Sequence, residues 1–424
     1  MNKKVKIIAV AKDESAYFPE WIHHHLYVGV DAIDIYINRT TDNSLSLLTK
    51  ITQHYPQVTI KSCDWIDTCP PEVNRFIQYV TYAQAFEQNN INQEYDYLFF
   101  LDIDEFWVPH NLDYKIQDMV KEMQYPSCVS MQWINQYADA EPFSYLSDVI
   151  KGDLVRNVKS LVHKNADLKR MSLHHPLFHK LGNAVMPDGE TFCGSDGKVY
   201  RETLHATLSR VRKVMIIHRA DRSELEYISL LFRGRPSDNI PLKLNREGMH
   251  IEHQNSSELC IEQVSFDAYE LSRKAFFKLI NIDNELKEAR DFVTQRATEA
   301  LKSISSLLAT HPEELKRAFA NVKHPEVVKQ LCNYTSPKRK ESDKLLSKSD
   351  EQEYKDASHR LKQSSFLVIF KALKANNADM YRDLALKLEP LSLKVAYKLM
   401  VKAKSLRPEG PLINRKLKQY TEKL

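Results

Sequence analysis

The first hundred residues alternate between two hydrophobic rhythms. Residues 5–10, Val-Lys-Ile-Ile-Ala-Val, form a short, almost continuous apolar run, as expected of a strand covered on both faces. Residues 15–28 place Phe18, Trp21, Ile22 and His25 on one helical stripe, which Gly29-Val30-Asp31 breaks. An alternating, β-branched second strand is predicted at 32–37. Turn-forming residues 38–44 end in an N-cap type and lead into a helix over 45–54. Residues 58–60 predict a third strand, 74–89 a helix, and 95–101 an aromatic fourth strand. Strands separated by single helices imply parallel pairing through right-handed crossovers. This half therefore reads as an α/β domain with an open, mostly parallel, Rossmann-like sheet. Ligands are expected beyond its strand C-termini.

From about residue 110 to 245 the pattern is mixed, with strands predicted at 129–134 and 214–217. Beyond Phe266 the periodicity is helical almost throughout, and polar residues 335–350 read as a linker. Residues 391–424 divide into two amphipathic helices around Arg407-Pro408-Glu409-Gly410-Pro411, resembling one helix-turn-helix unit of the tetratricopeptide kind. The expected organisation is an N-terminal domain over 1–250, a helical extension over 251–334 and a helical module over 351–424. His23-His24-His25 fan around their helix and cannot converge on one ion; one is expected to be buried.

Composition narrows the class. Of 424 residues, 43% are apolar and 27% charged, which supports a packed core and excludes global disorder. Six cysteines show no paired metal-finger spacing, so a thiol-reducing compartment is expected. No leader-like segment or membrane-length apolar run is apparent, and the expected location is cytoplasmic. Charge is uneven: residues 301–424 hold 26 Lys and Arg against 14 Asp and Glu, a balance of +12, while residues 1–300 hold 34 against 42, a balance of −8. The basic segment suits either a solvated helical face or peripheral contact with an anionic membrane. No nucleic-acid partner is expected.

The candidate chemistry lies in Tyr97-Leu98-Phe99-Phe100-Leu101-Asp102-Ile103-Asp104-Glu105-Phe106. A buried strand ends in three carboxylates within four residues, which repel one another unless positive charge sits among them. Side chains alternate along a strand, so Asp102 and Asp104 are expected to point to the same side. A hard divalent ion suits such oxygens. An ion there could stabilise a departing diphosphate during hydrolysis, nucleotidyl transfer or glycosyl transfer.

Several motifs then carry a resemblance in order along the chain. Lys12-Asp13-Glu14, Glu20-Trp21-Ile22 with His24 and His25, and Gly29-Val30-Asp31 come first. Tyr36-Ile37-Asn38, Thr41-Asp42-Asn43-Ser44, Trp65, and Gln78 to Tyr82 follow, then Leu101 to Phe106. Ile216-Ile217-His218, Ser223 and Arg233-Gly234 close the set. Together they resemble bacterial family-2-like glycosyltransferases, the group close to glycosyltransferase family 92, over about residues 5–240.

The resemblance implies a GT-A fold that binds a nucleotide sugar, with Mn²⁺ or Mg²⁺ on an Asp-x-Asp motif and usually inverting chemistry. It implies that Ala11, Lys12, Asp13 and Glu14 border the base, and that Asp42 contacts base or ribose. Asp102 would hold ribose or metal-bound water beside Ile103, while Asp104 binds the metal and His218 supplies a further ligand. Gln78, Tyr82 and Arg233 are donor-site candidates. Lys159 and Arg170 are further candidates to offset phosphate charge. Inverting transfer needs a general base, for which Asp139, Glu141, Asp188 and Glu190 are candidates. His174-His175-Pro176 with His179, and His250 with His253, have ligand-like spacing and suit structural or acceptor contacts. Family habit suggests a UDP-hexose donor and a lipid-linked or other cell-surface glycan acceptor, as in capsule or lipopolysaccharide synthesis. A nucleotidyltransferase, and a non-catalytic scaffold with a vestigial nucleotide domain, are the alternatives.

Overall fold

A computed structural model describes residues 3–179, 183–195, 203–234, 242–243, 246–334, 378–390 and 393–423. The chain divides into two compact units, residues 1–334 and 335–424.

The first unit opens with β1 (Val5–Ala11), α1 (Phe18–Tyr27), β2 (Ala32–Ile37), α2 (Ser44–His54) and β3 (Val58–Ser62). A 3₁₀ turn, the short α3 (Pro71–Asn74) and α4 (Ile77–Asn92) lead to β4 (Tyr97–Phe100), β5 (Glu105–Pro109), α5 (Ile116–Glu122), β6 (Cys128–Gln136) and β7 (Val149–His163). After β8 (Leu168–Arg170), β9 (Leu177–Phe178) and β10 (Ala184–Val185) come β11 (Val214–His218), α6 (Glu224–Leu231) and β12 (Ser257–Cys260). Helices α7 (Gln263–Ile280), α8 (Asp283–Thr310), α9 (Pro312–Ala318) and α10 (Pro325–Asn333) complete the unit.

Strands run β3-β2-β1-β4-β7-β6-β11-β5 across one mixed sheet, with β10 beside β6 and β12 beside β7. The β3-β2-β1-β4 half is parallel, as single intervening helices dictate. Antiparallel β7 then joins β4 to β6. β1 shows why its apolar run is continuous. Val5, Ile7, Ala9 and Ala11 enter the core under α1 and α2, whereas Ile8 enters the core on the opposite face with Tyr82 and Phe86 of α4. Gly152 of β7 faces β6 so closely that a Cβ would lie 2.2 Å from the Asn135 carbonyl oxygen. Any larger residue would push Asn135 aside.

The expected boundary at 250 is not an architectural one. β12 extends the main sheet by pairing with β7, and α7 packs on α1 while α8 packs on α6. The second unit contributes three packed helices, Ala378–Leu388, Leu393–Leu406 and Pro411–Lys423, around Leu384, Leu399, Met400 and Tyr420. The last two flank the predicted 407–411 turn. The linker expected at 335–350 lies outside the described residues. Among the described residues, no helix is long and apolar enough to cross a membrane, and no two cysteines pair.

The histidine triplet departs from expectation, because all three rings are buried. α1 lies between the sheet and α7. His24 Nε2 donates to the Trp107 carbonyl at 2.9 Å, His25 Nδ1 donates to the Trp21 carbonyl at 2.8 Å, and His23 meets Tyr269 and Phe276. Burial holds His23 down to about 3 and His24 to about 4, and pushes His25 well below the ordinary histidine value. Unfolded histidines bind protons near pH 6.5, about where the folded ones still refuse them. Stability from these rings is thus complete above about pH 6.5 and is lost as pH falls toward about 4, by up to about 1.4 kcal/mol per pH unit for each ring. Urea midpoints should drop steeply over that interval; a flat profile would contradict this burial.

Candidate active site

The acidic run begins where β4 stops. Leu101 N–H still donates to the Ile8 carbonyl on β1 at 3.2 Å, after which the chain turns. Glu105 N–H closes the turn on the Asp102 carbonyl at 3.1 Å, and Asp102 N–H donates to Glu105 Oε2 at 3.0 Å. Strand alternation therefore does not reach Asp102 and Asp104. The turn itself carries both onto an open cleft of about 500 Å³.

Each carboxylate has a different partner. Lys159 reaches up from β7, buried to 1% exposure, with Nζ 3.0 Å from Glu105 Oε2 and 3.2 Å from Asp102 Oδ2. Burial opposes its charge, but the two carboxylates hold the ammonium protonated beyond the usual lysine range. Glu105 is equally buried, and its Oε1 lacks a hydrogen-bond partner among the described residues. Burial pushes its carboxyl well above the ordinary range, against the pull of Lys159. Gln78 Nε2 donates to Asp102 Oδ1 at 2.7 Å. Asp102 is thus fixed by Gln78 and Lys159.

Asp104 faces the other way. Its Oδ2 lies 3.6 Å from His218 Nε2 at the end of β11. Burial disfavours the charge, but His218, Arg222 and Arg246 hold the Asp104 carboxyl well below the usual range. A separation of 3.6 Å is too long for a good hydrogen bond. It approaches the roughly 3 to 3.5 Å expected between two atoms that each bind one ion at about 2.1 Å. The donor pair therefore fits a divalent cation. Among the described residues no group of three His, Cys, Asp or Glu side chains could hold an ion, so most of a coordination shell would have to come from ligand and water. Asp102, unlike Asp104, already meets the Lys159 ammonium at 3.2 Å.

Basic side chains share the cleft. Arg233, Lys243 and Arg246 all border the cleft. Burial and the neighbouring Arg246 and Arg233 push Lys243 well below its ordinary value, and Arg246 Nε has no hydrogen-bond partner among the described residues. Glu14 pairs with both Arg222 and Arg233, and Arg233 also donates to the Lys12 carbonyl at 3.1 Å. Such crowding of positive charge suits an anionic ligand.

Of the sequence candidates, Ala11, Lys12, Glu14, Gln78, Asp102, Ile103, Asp104, His218 and Arg233 meet on this cleft, with Lys159 and His174. Asp13 lies beside it, at a left-handed φ of 52°. It borders an adjoining space of about 590 Å³ walled by Phe292 and Arg296 of α8. The remaining candidates lie elsewhere. Asp42 binds the loops together. Burial works against its charge, but hydrogen bonds from Ser15, Ser44 and Thr40 hold its carboxyl below the ordinary range. Tyr82 is buried against Phe100. Asp139 accepts from buried Arg219 at 2.6 Å, which also pairs with Glu20. Asp188 and Glu190 bind Arg210 and Arg212, and Glu141 is exposed. None of these four proposed bases borders the cleft. Lys243, Arg246 and the wall from α8 escaped the sequence reading, since isolated basic letters beyond residue 240 carry no spacing signal.

Residues 5–189 match the family model described as Glycosyltransferase family 92. The match supports a family-92-like glycosyltransferase. The α/β domain, with its mixed central sheet and helical C-terminal region, is consistent with the GT-A-like fold of such a transferase. No curated protein matches the chain.

Lys159 should be indispensable to this domain. Removing one partner of a buried ion pair costs about 3–5 kcal/mol. Lys159→Met is expected to lose that much in denaturant unfolding, and adding Glu105→Gln should restore part of it. An unchanged midpoint for the single variant would contradict the pairing.

Proposed function

We propose that the protein is a metal-dependent glycosyltransferase that moves a sugar from a nucleoside diphosphate to a glycan acceptor. The observation that carries this reading is one cleft lined both by Asp104 beside His218 Nε2 and by Arg233, Lys243 and Arg246. An acidic wall alone would repel a diphosphate, and a basic wall alone would bind any anion.

In this reading Asp104 and His218 hold Mn²⁺ or Mg²⁺, which when bound would stabilise charge on the departing diphosphate. Opposite unit charges about 4 Å apart at an effective dielectric near 20 interact by roughly 4 kcal/mol. Arg233 and Arg246 add positive charge to the same cleft, with Lys243 beside them. Gln78 and Lys159 keep the Asp102 carboxylate still, so that it can accept from a donor hydroxyl without reorganising. Lys12, Asp13 and the α8 wall border the end of the cleft where a nucleoside would lie. UDP-hexose is the donor we favour, with inversion at the transferred carbon. A lipid-linked or other cell-surface glycan, met from the cytoplasmic side of an anionic membrane, is the acceptor we favour, supported by the basic balance of residues 301–424.

Asp104→Ala should lower turnover of the nucleotide sugar at least about 100-fold, about 2.7 kcal/mol of transition-state stabilisation. EDTA should abolish wild-type transfer and Mn²⁺ restore it. Near-normal transfer by the variant at saturating Mn²⁺ would refute the reading, and release of pyrophosphate rather than a nucleoside diphosphate would point to a nucleotidyltransferase.

A further inference from the structure

Behind His218 runs a chain of hydrogen bonds that ends at a buried carboxylate. Asp221 is buried to 1% exposure, and its carboxylate accepts twice from His250: from the backbone N–H at 2.7 Å and from the ring Nδ1 at 2.8 Å. A carboxylate cannot donate, so His250 Nδ1 carries hydrogen, and in the neutral ring Nε2 presents its lone pair. Asn135 Nδ2 sits 3.3 Å from that Nε2 and donates to it. The same amide turns its Oδ1 to His218 Nδ1 at 2.9 Å. An amide oxygen only accepts, so His218 Nδ1 also carries hydrogen. Its Nε2 is then the ring nitrogen left to face Asp104, 3.6 Å away. Trp133 packs against the ring with centroids 4.2 Å apart, which limits its rotation.

We infer that Asp221, His250 and Asn135 are positioning residues that fix the tautomer and orientation of His218, and so set how tightly the cleft takes a divalent ion. The inference rests on the metal-dependent reading of the same cleft. Its physical basis is general: a metal-binding imidazole works only if its other nitrogen is held as N–H by an acceptor. Asp221 and His250 lie beyond the segment matched by the family model, and no paired spacing in the sequence connects them to Asn135. Gly152 gives the arrangement its footing, since only glycine lets β7 pass the Asn135 carbonyl.

Two substitutions at Asn135 separate positioning from mere packing. Asn135→Leu removes both hydrogen bonds; Asn135→Asp removes the donor but keeps an acceptor for His218 Nδ1–H. Mn²⁺ alone, titrated into full-length protein and followed by electron paramagnetic resonance, is the probe. Asn135→Leu should bind Mn²⁺ about 10- to 100-fold more weakly than wild type, and Asn135→Asp within about threefold of it. In ¹⁵N spectra of neutral wild-type His218, the hydrogen should sit on Nδ1. Wild-type affinity in Asn135→Leu, or an Asn135→Asp variant as weak as Asn135→Leu, overturns the inference while leaving the metal-dependent reading standing. If wild type itself binds no Mn²⁺, that reading falls instead. Should Asn135→Leu fail to fold, the wild-type spectrum decides: a hydrogen on Nε2 overturns the inference.

Discussion

The ammonium of Lys159, sealed between β7 and the end of β4, is the interaction on which the cleft depends. Three carboxylates in four residues would otherwise repel one another at the edge of an apolar sheet. Lys159 compensates Asp102 and Glu105, 3.2 and 3.0 Å away, and is placed to do so because β7 pairs with β4 in register, Phe99 beside Leu161. Its reach ends there. Asp104 is answered instead by His218, Arg222 and Arg246. One half of the acidic turn is thus structural, and the other is left able to meet further positive charge.

The two walls come from different stretches of chain. Asp102, Asp104 and Lys159 belong to the segment that matches the glycosyltransferase family model. His218, Arg233, Lys243 and Arg246 follow it, delivered by β11 and the chain after α6. α8 then walls the space beside Lys12 and Asp13. The helices after residue 262 are therefore part of the domain's working surface, and a break at 250 would cut β12 from the sheet.

Much of this was legible in the chain. The elements from β1 to β4 have clean periods, and each was placed to within a few residues. The 15 residues of β7 were missed because Lys151, Asp153, Arg156 and Lys159 interrupt any apolar rhythm; that strand draws its stability from neighbours on both sides rather than from local pattern. Carboxylates are visible in a sequence, but their partners are not. Asp42 and Asp139 looked as available as Asp104, yet one is saturated by loop hydroxyls and the other bound to Arg219. The buried histidines follow the same logic: nothing near residues 23–25 announces that α7, some 240 residues later, will cover them.

The central claim, that Asp104 and His218 form the open end of a turn whose other end Lys159 has closed, is tested most directly by anomalous diffraction from crystals grown with Mn²⁺ and a nucleoside diphosphate. A manganese peak is expected between Asp104 Oδ2 and His218 Nε2, with the diphosphate between it and Arg233, Lys243 and Arg246. A peak lodged at Asp102 and Glu105 in place of the Lys159 ammonium, or a diphosphate bound outside the cleft with no metal near Asp104, would contradict it.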